Sequence, residues 1–160
     1  MAQEIERKFL VVGEYKDLAH NSMHLVQGYI ASGRRTVRVR IGEGGAWLTI
    51  KGPSRNGGLS RFEWEKEIAV LDAQQLMELC LPGVIHKTRW LIPASTTNNQ
   101  SPITNNQSPH LTWEVDEFHG RLEGLVLAEL ELPREDYPYE KLPFVGEEVT
   151  GNPRYYNANM

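Results

Sequence analysis

Charges of one sign recur at every second residue in segment after segment of this 160-residue chain. Glu4 and Glu6 lead to Lys8, and Arg38 stands two residues before Arg40. Arg61 is followed by Glu63, Glu65 and Glu67. Lys87 precedes Arg89, Glu114 precedes Asp116, and Glu129 precedes Glu131. The positions between are largely apolar: Ile5 and Phe9, Val37 and Val39, Leu48 and Ile50, Phe62 and Trp64, Trp113 and Val115, Leu130 and Leu132. Residues two apart on a strand share a face, so each segment reads as a strand with one charged and one apolar face. The spacing predicts strands over 4–12, 35–41, 46–51, 60–70, 86–92, 111–118 and 125–132, with 24–31 as a further candidate. Gly42–Gly45 and Arg55–Gly58 read as hairpin loops, where glycine supplies positive φ at no steric cost. Neither opens a helix as a phosphate-binding glycine loop must. One helix is predicted over 72–81, with Asp72 as N-cap and Gly83 closing it. Shorter helical pieces are expected near Tyr15–Ala19 and within Glu135–Leu142, the second limited by Pro138.

Many strands with few helices leave two architectures. A sandwich would put the charged faces in water. A closed barrel would turn them inward and leave its apolar outside to be covered by helices, loops or a second subunit. Like charges stacked on one strand cost stability. Their segregation into acidic and basic strands therefore favours an interior that binds something charged. Paired carboxylates are hard oxygen ligands suited to Mg²⁺ or Mn²⁺. Arginine and lysine pairs clamp phosphate oxygens. An interior holding both sets is expected to take a polyphosphate with its metal, since so many buried charges need mutual neutralisation.

Lysine and arginine number 17 against 21 aspartates and glutamates, a net charge of −4. That balance argues against a general nucleic-acid binder. Cys80 is the one cysteine, so no intrachain disulfide forms and a reducing, cytoplasmic setting is expected. Cys80 itself is expected on the helix as a buried thiol without a histidine partner. No apolar leader or membrane-length stretch is present. The length fits a single domain over 1–160. Its tract at 94–110 repeats Thr-Asn-Asn-Gln-Ser-Pro and reads as a mobile polar loop.

The start Glu4-Ile5-Glu6-Arg7-Lys8 resembles the E-x-E-x-K signature of the CYTH superfamily, the triphosphate tunnel metalloenzymes. Arg38-Val39-Arg40, Thr49-Ile50-Lys51, Arg61-Phe62-Glu63-Trp64-Glu65, Lys87-Thr88-Arg89, Glu114-Val115-Asp116 and Glu129-Leu130-Glu131 resemble its later charged strands in order. The tail Gly146–Thr150 with Arg154-Tyr155 is similar to the closing segment of short bacterial members. The resemblance implies a mostly β fold, a closed eight-stranded antiparallel barrel with a few peripheral helices. Any helix covering the tunnel after Tyr156 is expected to be short or absent.

The implied activity is hydrolysis of a triphosphate, tripolyphosphate first, by a metal-activated water. Thiamine triphosphatase, adenylate cyclase and a non-catalytic polyphosphate- or nucleotide-binding module are the alternatives. Glu4, Glu6, Glu129 and Glu131 are expected to hold Mg²⁺ or Mn²⁺, with Glu114 and Asp116 as further ligands or as supports for them. Lys8, Arg38, Arg40, Lys51, Lys87 and Arg89 are expected to clamp phosphates, helped by Arg61 and Arg154. For Arg61, Arg154 and Glu67 a structural ion pair is an equal alternative. Glu63 and Glu65 either hold a second metal or accept the proton of the attacking water. Lys8, Lys87, Glu63 and Glu65 form the expected catalytic set. The expected partners are a small-molecule triphosphate (tripolyphosphate, ATP or thiamine triphosphate) and, to cover apolar strand faces, a second copy in a homodimer.

Overall fold

The computed structural model describes residues 3–94 and 110–160. The polar repeat, apart from its flanking Ala94 and His110, therefore lies outside the described residues. The strands are β1 (Gln3–Val11), β2 (Asn21–Ala31), β3 (Thr36–Gly42), β4 (Gly45–Arg55) and β5 (Ser60–Ile68), then β6 (Ile85–Pro93), β7 (Thr112–Phe118), β8 (Val126–Glu131) and β9 (Val145–Glu148). The helix α1 spans Val70–Met77. The strands lie in the order β5-β4-β3-β2-β6-β7-β8-β1-β9, and β1 also pairs with β5, so eight antiparallel strands close into a barrel. β9 extends the wall along β1 beyond the short β1–β5 pairing. No helix among the described residues is long and apolar enough to cross a membrane.

The barrel is turned as the charge pattern requires, with charged faces inward and apolar faces outward. α1 packs over Val39, Ala46, Ile30, Ile41 and Leu48. Gly28 permits this close approach, because a Cβ there would meet the Met77 sulfur at 3.0 Å and the Cys80 sulfur, just beyond the helix, at 2.8 Å. Chain on both sides of the strands covers the opposite wall, where Tyr15, Leu142 and Phe144 join Phe9, Ile92, Trp113 and Leu130. Trp113 is fully buried and meets Phe9 edge-on at 5.4 Å. The outer faces of β4 and β5 keep Ile50, Phe62 and Trp64 exposed.

Three local expectations are corrected. The helix starts at Val70, with Ala69 rather than Asp72 as N-cap. It ends at Met77, because Glu78, Leu79 and Cys80 donate to carbonyls three residues back and Leu81 N donates to Tyr29 O on β2. Cys80 thus sits in the turn beyond the helix. No helix forms within Glu135–Leu142. The short helical piece expected near Tyr15–Ala19 does form, as a single 3₁₀ turn over Lys16–Leu18.

After β9 the chain forms two 3₁₀ turns, Pro153–Tyr155 and Asn157–Asn159. Tyr155 and Met160 pack with Ile85, Phe118 and Leu127, giving one end of the barrel an apolar floor.

Candidate active site

Alternation along the strands carries the charged side chains into one cavity of about 230 Å³. β1 contributes Glu4, Glu6 and Lys8; β3 contributes Arg38 and Arg40; β4 contributes Lys51. β5 adds Arg61, Glu63 and Glu65, and β6 adds Lys87 and Arg89. β7 and β8 bring Glu114, Glu129 and Glu131. Register sets who faces whom. Glu6 lies opposite Glu131, Lys8 opposite Glu129, and Glu114 opposite Glu129. The acidic strands β5, β1, β8 and β7 are consecutive around the barrel, and the basic strands β6, β3 and β4 stand across from them.

Two carboxylate trios result. Glu4, Glu63 and Glu131 can each offer an oxygen within 4.8 Å of the others, and so can Glu6, Glu114 and Glu129. Crowding shows in their protonation. Burial and then Glu4, Glu114 and Glu63 push the Glu131 carboxyl up to about 7. Burial, Glu129 and Glu4 hold Glu6 well above the ordinary range. Burial and Glu4 raise Glu63 against the pull of Lys51. Carboxylates that cannot all ionise together are a donor set matched to a hard divalent cation. The chemistry of both trios therefore fits Mg²⁺ or Mn²⁺.

Several of the cations are paired with carboxylates. Lys51 Nζ donates to Glu4 at 2.8 Å and reaches Glu63 at 3.7 Å. Lys8 pairs with Glu129 at 3.2 Å. Burial alone would lower Lys8 and Lys51, but neighbouring carboxylates outweigh it and raise both. Burial also acts against ionised Glu129, yet Lys8, Arg89 and Lys87 bring it down to about 2. Arg38 Nη2 donates to Thr49 at 3.1 Å, and Thr49 donates to Glu65 at 2.7 Å. The buried Arg38 Nε has no hydrogen-bond partner among the described residues. Such a donor is costly unless an acceptor oxygen meets it. Arg40 Nε donates to Gln27 at 2.9 Å. Burial, Arg38 and Arg89 lower Arg40 to about 9, which leaves it charged at neutral pH.

Asp116 lies behind the cavity lining. Arg89 donates to it through Nε and Nη2 at 2.8 and 2.9 Å, and Lys87 donates at 2.8 Å. Both its oxygens are engaged by these cations, and it belongs to neither carboxylate trio. Arg89 and Lys87 outweigh its burial and hold its pKa far below the usual range. Burial, Arg89 and Arg40 bring Lys87 down to about 7 despite Asp116.

Arg154 does not join the cavity. Asn152 caps its turn, the side chain is exposed, and its guanidinium lies over Tyr155. Arg61 lines the cavity while donating to the Gly52 carbonyl at 2.9 Å. Glu67 is exposed outside the lining. Cys80 is half-buried, with its thiol raised by burial and donating to Leu76 O. The cavity also takes residues that charge patterning misses: Tyr29, Thr36, Thr150, Tyr156 and Asn157. The buried Gln27 stands behind them. Gln27 and Tyr29 share the inward parity of β2, which a search for charges passes over. Asn157 gives no periodic signal at all.

The CYTH domain family model matches residues 2–158. An inorganic triphosphatase of Acetivibrio thermocellus is 44% identical over 163 residues, covering 100% of this chain and 94% of that protein. An inorganic triphosphatase of Nitrosomonas europaea is 32% identical over 161 residues, covering 98% and 95%. The crystal structure of the inorganic triphosphatase NE1496 superposes with a TM-score of 0.60 at 28% identity, covering 97% of this chain and 94% of that one.

Proposed function

The chain belongs to the CYTH domain family, and from that premise and the cavity we propose that it hydrolyses tripolyphosphate to pyrophosphate and orthophosphate with a divalent metal. One observation carries the reading. Two carboxylate trios face a set of lysines and arginines inside a single closed barrel. A polyphosphate pocket without turnover has no need of that acidic half. The inorganic triphosphatases similar over their full length support the substrate class.

Each part of the chain has a task. Lys8, Lys87, Arg89 and Arg40 receive the inner phosphates, and Arg38, Lys51 and Arg61 the outer one. Arg38 Nε, which has no partner among the described residues, suits a phosphate oxygen, and Asp116 holds the Arg89 guanidinium in place. Phosphoryl transfer needs chiefly positioning and charge neutralisation, and fixed cations supply both without reorganising. Glu4, Glu63 and Glu131, with Glu6, Glu114 and Glu129, would hold Mg²⁺ or Mn²⁺. A divalent cation there supplies charge for the phosphate oxygens and lowers the pKa of an attacking water. Glu65, held by Thr49, would accept that water's proton, as would Glu63 where it does not hold the metal.

The test is product analysis with tripolyphosphate, ATP and thiamine triphosphate, each with Mg²⁺, Mn²⁺ or EDTA. Orthophosphate release should be fastest on tripolyphosphate and stop in EDTA. Glu4→Ala and Lys8→Ala should lower kcat/KM by about 10²-fold or more, the scale of removing one preorganised charge. Cyclic AMP from ATP would make it a cyclase, and binding without turnover would refute the enzyme reading.

A further inference from the structure

This inference rests on the triphosphatase reading and concerns how the substrate chain is measured. The C-terminal turns do more than floor the barrel. Asn157 Oδ1 accepts from Lys87 Nζ at 2.8 Å and from Gln27 Nε2 at 3.0 Å. Gln27 is fully buried, and its own oxygen accepts from Arg40. Lys87 also holds Asp116, which grips Arg89. One neutral amide oxygen thus joins the innermost cations into a single web. Beside it the Tyr155 carbonyl accepts from Lys8 Nζ at 2.9 Å, and the Tyr156 ring lies 5.6 Å from the same ammonium. Every oxygen that this segment offers to these lysines is uncharged. An amide or carbonyl orients an ammonium without neutralising it, so this segment adds nothing to the compensation that Asp116 gives Lys87 and Glu129 gives Lys8.

We propose that Asn157 is a positioning and specificity residue, a stop at the blind end that fixes which anhydride bond of a linear polyphosphate reaches the carboxylates. The inner terminal phosphate seats against Asn157 among Lys87, Arg40 and Arg89. The other end of the cavity reaches solvent, where Glu65 and Glu131 are exposed. Tripolyphosphate is therefore cut at its outer bridge. The water oxygen bonds to the outer phosphorus as that phosphorus–oxygen bridge breaks. The electron pair stays on the pyrophosphate oxygen, and the water's proton passes to Glu63 or Glu65. A fourth phosphate would protrude into solvent and leave the cut at the same distance from the stop.

The products of tetrapolyphosphate read that distance directly. Wild-type protein should yield pyrophosphate alone. Asn157→Ala deepens the bay and frees Lys87, so tripolyphosphate and orthophosphate should appear among the first products. Asn157→Asp keeps the shape and the Lys87 contact, which preserves the fold, but sets a negative charge against the substrate. It should raise the KM for tripolyphosphate by about tenfold or more with a smaller change in kcat. A purely structural asparagine would shift thermal stability and leave the product register unmoved. Wild-type products from Asn157→Ala, together with a wild-type KM for Asn157→Asp, would overturn the proposal. If the wild type leaves tripolyphosphate intact, the triphosphatase reading fails by itself. Calorimetry of tripolyphosphate in EDTA then decides the role of Asn157. Binding to Asn157→Asp weakened by about tenfold or more upholds it, and unchanged affinity refutes it.

Discussion

At the scale of single residues, charge parity told which side chains face inward and register told which of them meet. Glu114 and Asp116 look equivalent in sequence. Pairing of Arg89 with Asp116 across β6 and β7 gives one of them to the cations, while Glu114 reaches a carboxylate trio. Asp116 and Lys87 are each about 1% exposed, so their charges lack water as a fallback. Removing one partner of a buried pair strands the others. Asp116→Ala should cost about 3–5 kcal/mol of stability, read by urea unfolding, because it leaves Lys87 and Arg89 uncompensated. A cost below about 1 kcal/mol would mean that water enters behind Arg89 and solvates it. Glu114→Gln removes an exposed-side partner only and should leave the urea midpoint nearly unchanged, while weakening metal-dependent turnover. Neither distinction is available before the strands are aligned.

Among elements, the strands were legible and the pieces that seal them were not. Period-two alternation and the two glycine loops locate β1 to β8 within a few residues. β9 is four residues long, and Gly146 and the two glutamates give it no alternation to detect. The end of α1 is set by the pull of Leu81 on β2, a tertiary effect that no local capping rule contains. The seam between β1 and β5 is of the same kind. β1 pairs with β5 only from Gln3 to Ile5, and beyond that Glu6 N donates to Leu59 O while Lys8 N donates to Thr150. There the loop after β4 meets the loop after β9, with the backbones of Gly57 and Gly58 against Gly151. Gly151 has φ +81°, and a Cβ on it would collide with the Gly57 carbonyl. Gly151→Ala combines left-handed strain with a backbone clash and should cost about 2 kcal/mol or more. In a chain of this size that is a fall in Tm of roughly 4–8 °C. An unshifted Tm would show that the seam can part without loss, and hydrogen exchange at Glu6 and Lys8 would then be fast.

For the whole molecule, sign segregation among the strands was enough to turn the charges inward, and the price is an interior under electrostatic tension without its ligands. That tension predicts how stability depends on pH. Glu131 is ordinarily half-protonated near 4.5 and in the fold near 7. Glu6 and Glu63 are raised as well. Between those values the native state binds more protons than the unfolded chain. The stability due to these groups is therefore full below about pH 4.5 and is lost as pH rises toward 7. Glu129 and Asp116, with lowered values, act only below this window. Lys87, lowered to about 7, adds stability only as pH climbs above that point. In EDTA, then, Tm should fall from pH 5 to pH 7, and Glu131→Gln should flatten the fall. Mg²⁺ should reverse it, stabilising more at pH 7 than at pH 5, because binding below pH 7 must first displace protons. Proton release on adding Mg²⁺ at pH 6, followed in weak buffer, measures the same linkage directly. A Tm that rises from pH 5 to 7 in EDTA, with no protons released by Mg²⁺, would mean that the two trios are not crowded, metal-accepting carboxylate clusters.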